Sequence, residues 1–142
     1  MAIKWVDSLS VANNSVDNDH KHLINIINRI ELALNTEADD QLLKKGLKDL
    51  EEYTSLHFDR EEALMKSANY PNYYRHFKEH RELMNTLNVI KMDILKKLNS
   101  GEKISDPDSL VTLLRHWLLD HVMQEDLLLK PYFKKLISLR QK

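Results

Sequence analysis

The chain of 142 residues has no cysteine, which excludes disulfides, thiolate metal sites, iron-sulfur clusters and a cysteine nucleophile at once. Any metal it holds must be bound through nitrogen and oxygen. Only two glycines and three prolines are present, too little punctuation for an all-β chain with many turns. An excess of charge of either sign is also missing: 21 basic and 22 acidic residues are interspersed, so nothing marks a nucleic-acid or anionic-membrane footprint. No apolar run reaches the length of a membrane span, and the N-terminal MAIKWVDSLSVANN lacks the apolar segment of a signal peptide. The expectation is a soluble cytoplasmic protein, with a small molecule or another protein as partner.

What is present is helical periodicity. A content of 42% hydrophobic residues over this length suits one compact domain spanning residues 1–142. Residues 1 to about 15 show no period, but Ile3, Trp5, Val6, Leu9 and Val11 make them an apolar arm. From Asp17, the residues His20, Leu23, Ile27, Ile30 and Leu34 recur at three- and four-residue steps, and a first helix ends near Asn35 or Thr36. Leu43, Leu47, Leu50, Thr54, His57, Glu61 and Leu64 form the stripe of a second helix, which should stop between Ser67 and Tyr70, ahead of Pro71. Tyr73, His76, His80, Leu83, Leu87, Ile90, Ile94 and Leu98 mark a third, closed by Asn99, Ser100 and Gly101. Asp106 stands at an N-cap with Pro107 behind it. Leu110, Leu114, Trp117 and His121 then carry a fourth helix to about Leu129, where Pro131 interrupts it. Tyr132, Phe133, Leu136 and Ile137 form a short apolar tail that would cover one end. The predicted fold is all-α, an antiparallel up-down-up-down four-helix bundle with an N-terminal arm and a short C-terminal helix.

The inward stripes of this bundle hold six groups that do not belong in an apolar core: His20, His57, Glu61, His76, His80 and His121. A buried charge or unpaired imidazole is costly, on the order of several kcal/mol for an uncompensated ion, and a bound metal is the simplest compensation. Residues four apart lie on one helix face, so His57 and Glu61 in HFDRE, and His76 and His80 in HFKEH, can reach one region. Asp126 lies five beyond His121 and points away on an ideal helix; a local distortion or a long reach is needed to bring it in. Imidazole and carboxylate suit Fe, Zn, Mn or Co. Seven donors are too many for one ion, and two ions bridged by Glu61 and Asp126 would use them.

These motifs, taken in order, resemble the hemerythrin family, specifically the single-domain bacterial hemerythrins. The resemblance runs from IKWVDSLSV through VDNDHKHLINIIN, HFDREEALM and YPNYYRHFKEH to WLLDHVMQED. It implies that His20, not His22, is the first-helix ligand, and it brings in Asp126. It implies two non-haem iron ions, one held by His76, His80 and His121 and the other by His20 and His57. Glu61, Asp126 and an oxo or hydroxo group would bridge them. It further implies reversible binding of dioxygen, as a hydroperoxide, on the iron with the open position, for storage, delivery or sensing. A histidine-rich donor set favours such a carrier over an oxidising enzyme. The alternatives are a di-iron enzyme scavenging peroxide or nitric oxide, and an iron-storage or iron-sensing module. Leu118, three before His121, is the expected wall of the dioxygen pocket. Asp19 stands where the family commonly has Gln; it reads as an acceptor near the iron of His20 or as a solvated acid. His22, His116 and Glu62 read as surface residues, and KKGLKDLEE as an outer helix face.

Overall fold

The structure, a computed structural model, describes residues 3–35 and 40–140. Four long helices carry the chain: α1 (Asn14–Asn35), α2 (Asp40–Ser67), α3 (Tyr73–Asn99) and α4 (Pro107–Gln124), followed by a short α5 (Lys130–Arg140). α1 packs between α2 and α4, and α2 packs on α3. Across the remaining side of the bundle the Trp117 indole N–H donates to the Leu83 carbonyl at 3.0 Å, joining α4 to α3. Among the described residues no helix is long and apolar enough to cross a membrane.

The helix ends follow local chemistry. α2 closes in a Schellman arrangement, with Tyr70 N–H donating to Met65 O and Asn69 N–H to Lys66 O, and Asn69 in the left-handed region at φ 52°. Gly101, at φ 74°, performs the same turn after α3. Asp106 caps α4 by accepting from Ser109 N–H at 3.1 Å.

Two differences from the sequence expectation concern the C-terminal part. α4 ends at Gln124, and residues Asp126–Leu129 form a 3-10 turn. Pro131 then occupies the first turn of α5, where its missing N–H costs nothing, so it begins a helix instead of interrupting one. Leu129 and Phe133 are buried with Val11, Val16, Met65 and Tyr70 at one end of the bundle, whereas Ile137 is exposed. The arm is tied down by Asn28, whose amide exchanges two 2.9 Å hydrogen bonds with Ile3. Asp17 accepts from Val11 N–H and the Ser10 hydroxyl. Leu9 and Val11 are buried there, and Val6 is not.

The main core is largely aliphatic. At one point of the α1–α2 contact, Gly46 of α2 leaves room for Ile30 of α1 to press against the helix backbone. A Cβ on Gly46 would lie 2.7 Å from Ile30 Cγ1, so this position in the KKGLKDLEE run faces inward and is not part of an outer face. Alanine there gains up to about 1 kcal/mol of helix propensity. It forces apart a fully buried contact, a change that costs about 1–3 kcal/mol. Gly46→Ala should therefore lower the denaturant midpoint of unfolding; an unchanged or raised midpoint would contradict this packing.

Candidate metal centre

Each long helix delivers imidazole to one level of the bundle: His20 from α1, His57 from α2, His76 and His80 from α3, His121 from α4. All five are buried, and with them Glu61 and Asp126 are fully buried. Asp126 reaches this level because the backbone leaves the α-helical path at Glu125 (φ −115°, ψ −50°) and tightens into the 3-10 turn. The distortion that its five-residue spacing demands is thus built into the end of α4.

The carboxylate oxygens sort the histidines into two groups. Glu61 Oε1 lies 2.8 Å from His76 Nε2 and 3.1 Å from His80 Nε2, and Asp126 Oδ1 lies 3.0 Å from His76 Nε2 and 2.9 Å from His121 Nε2. The other oxygens face the opposite way. Glu61 Oε2 is 3.3 Å from His57 Nε2, and Asp126 Oδ2 is 3.0 Å from His20 Nε2. Donor atoms of Glu61, His76, His80, His121 and Asp126 all lie within 4.8 Å of one another, as do those of His20, His57, Glu61 and Asp126. Three imidazoles stand on one side of the carboxylate pair and two on the other.

Within this set His76 Nε2 and His80 Nε2 are hydrogen-bonded to Glu61 Oε1, but most of the other converging atoms are unpaired. His20 Nε2, His121 Nε2, Glu61 Oε2 and both oxygens of Asp126 have no hydrogen-bond partner among the described residues, although several lie about 3 Å apart. Buried polar atoms are normally satisfied. Here the lone pairs converge on shared space, the arrangement a cation requires, so the donor set fits metal ions.

Behind the histidines stands a second set of carboxylates. His57 Nδ1 donates to Asp19 at 3.0 Å, His80 Nδ1 to Glu62 at 2.7 Å and His121 Nδ1 to Glu79 at 3.0 Å. Such bonds fix the ring and leave Nε2 aimed at the metal. Asp19 is buried and also accepts from the Tyr53 hydroxyl and from two guanidinium nitrogens of Arg60. It therefore serves His57, on the same two-histidine side as His20, as an acceptor for an imidazole N–H and not as a solvated acid, and Glu62 is no solvated acid either. Each of these acids is next in sequence to an inward residue (His20, Glu61, His80) and reaches across to the following helix. That adjacency is a signal the period of one helix does not carry. His22 and His116 are exposed, as expected, the first against Tyr53 and the second beside Asp120.

A small cavity lies against the centre, lined by His20 and His57 of the two-histidine side, His121 of the other and Asp126, with Thr54, Phe58, Trp117 and Leu118 among the remaining walls. Its room for a water-sized sphere is about 10 Å³, close to the minimum for one water molecule.

Burial alone would push the His57 imidazolium down, but Asp19 and Glu61 outweigh it and its pKa is pushed up to about 9. At His76 burial is overcome by Asp126 and Glu61, again to about 9. His121 rises well above its ordinary value, burial there yielding to Asp126 and Glu79. Glu61 and Asp126 move down: burial opposes this, and for Glu61 so does the charge of Asp126, but the surrounding imidazoles prevail.

The chain is similar in sequence and in fold to known proteins. The family described as the hemerythrin HHE cation binding domain matches residues 11–133. A bacteriohemerythrin of Stenotrophomonas maltophilia is 28% identical over 122 residues, covering 86% of this chain and 75% of that protein. One from Methylococcus capsulatus is 28% identical over 115 residues, 81% of this chain and 83% of the other. A crystal structure of wild-type hemerythrin superposes with a TM-score of 0.78 at 24% identity, covering 94% of this chain and 98% of that one, which shows the shared fold.

The raised histidine values give a pH signature. Below about pH 6.5 the imidazolium–carboxylate contacts stabilise the metal-free fold fully, and that contribution is lost as pH rises through about 9. Metal must displace those protons. Ferrous iron titrated anaerobically at pH 7 should release protons, seen as buffer-dependent calorimetric heat, and should bind more tightly toward pH 9. Buffer-independent heat and a flat affinity would contradict the assignment.

Proposed function

Because this chain belongs to the hemerythrin HHE cation-binding family, we propose that its buried centre holds two iron ions and binds dioxygen reversibly. The observation that carries this reading is the sorting of carboxylate oxygens. One oxygen of Glu61 and one of Asp126 face His76, His80 and His121, and the other oxygen of each faces His20 or His57. Each carboxylate is set to bridge. Iron bound by these residues would supply the redox chemistry for uptake and release of dioxygen.

The residues of the chain define where that happens. The three-histidine side is crowded by donors, whereas the cavity is lined by both histidines of the two-histidine side and by His121 alone of the other. Leu118, 5% exposed, forms part of its wall, and Phe58 stacks on the His80 ring with centroids 3.8 Å apart. These apolar groups exclude water and protons from the bound molecule. Asp19, Glu62 and Glu79 hold three of the imidazoles against rotation. Five neutral donors to two anionic ones suit a carrier more than an oxidising enzyme.

The reading is tested by adding oxygen to anaerobic, reduced, iron-loaded protein and following the visible spectrum through repeated deoxygenation. An oxygenated form that returns to the reduced spectrum is expected. Rapid irreversible oxidation, or steady consumption of peroxide or nitric oxide, would overturn the carrier role. In the same cycle Leu118→Ala should oxidise faster at unchanged iron content; an unchanged rate would remove Leu118 from the protecting wall.

A further inference from the structure

Thr54 is fully buried on the inner stripe of α2, between Leu50 and His57, and its hydroxyl has no hydrogen-bond partner among the described residues. Both facts are unusual. Threonine is a poor helix former, and a mid-helix hydroxyl commonly turns back to a carbonyl of the preceding turn, the bond that the Ser100 hydroxyl makes to Lys96 at 2.8 Å at the C-cap of α3. Leaving a buried hydroxyl unsatisfied is unfavourable. An apolar residue would serve the core better at this position unless the hydroxyl has a use.

Its place indicates the use. Thr54 lines the cavity beside His20 and His57, with the apolar Phe58 and Leu118 among the other walls. Among the lining residues Thr54 carries the one hydroxyl, and the N–H of Trp117, which also lines the cavity, is committed to Leu83. We propose that Thr54 determines which ligand the cavity accepts, by donating a hydrogen bond to a small molecule or anion whose free end carries an acceptor. The inference rests on the reading of the centre given above and adds a hydroxyl donor to a pocket otherwise walled by apolar groups, imidazoles and the Asp126 carboxylate, which only accepts. A hydroxyl offers one donor and can rotate to meet the free end of a small ligand, for which the cavity has room for about one water-sized group. A ligand without an acceptor at that end leaves the hydroxyl unpaired and is disfavoured.

The test compares wild-type, Thr54→Val and Thr54→Ser proteins, each iron-loaded and oxidised, titrated with azide and read by visible absorption. Valine keeps the shape and removes the hydroxyl. It should bind azide about tenfold more weakly or worse, the scale of one hydrogen bond to a charged group, while serine stays within about a factor of three. Metal-free Thr54→Val should melt at or above the wild-type temperature, since it removes an unpaired buried hydroxyl. Azide affinity equal to wild type in Thr54→Val would overturn the proposal. So would loss of iron from that variant, or a lower melting temperature of its metal-free form, because either gives the hydroxyl a structural duty instead. Failure of the wild-type protein itself to bind azide would overturn the reading of the centre, and this inference with it.

Discussion

Two carboxylates in a nearly dry interior set the terms for the rest of this molecule. Glu61 and Asp126 are each fully buried, within a few ångströms of one another's imidazole partners, and nothing in an aliphatic bundle offsets two such charges. Imidazoles drawn from all four long helices offset them, and metal offsets them more completely. The helices are therefore held at one level by a shared centre as well as by aliphatic packing. Folding and metal occupancy are coupled in such an arrangement, because a preformed donor set does not exist in the unfolded chain.

A relay of acids around the bundle reinforces the centre. Asp19 of α1 holds His57 of α2, Glu62 of α2 holds His80 of α3, and Glu79 of α3 holds His121 of α4. Each step joins neighbouring helices and fixes a ring. His20 and His76 have no such support: their Nδ1 atoms find no partner among the described residues. Each side of the centre thus has one ring without such support, and the cavity with Leu118 and Thr54 is lined by both His20 and His57 but by His121 alone of the other three.

Much of this was legible from the chain alone, for physical reasons. The 3.6-residue period placed the four stripes, and the four-residue spacings of His57 with Glu61 and His76 with His80 placed two donors on one face of a single helix. Asp126 was the hard case, because its membership depends on a departure from helical geometry at Glu125 that no period reveals. Asp19 and Glu62 were harder still. One residue off the inner stripe turns a side chain by about 100°, which reads as a solvated flank until the next helix is in place. Gly46 was misread for the same reason, since its meaning lies in Ile30 of another helix.

The central claim is that one chain holds two iron ions with Glu61 and Asp126 between them. Diffraction from iron-loaded crystals at wavelengths either side of the iron absorption edge tests it most directly. Two anomalous peaks about 3.5–4 Å apart, one against His76, His80 and His121 and the other against His20 and His57, with both carboxylates spanning them, are predicted. A single peak, or two peaks that Glu61 and Asp126 do not join, would contradict the account.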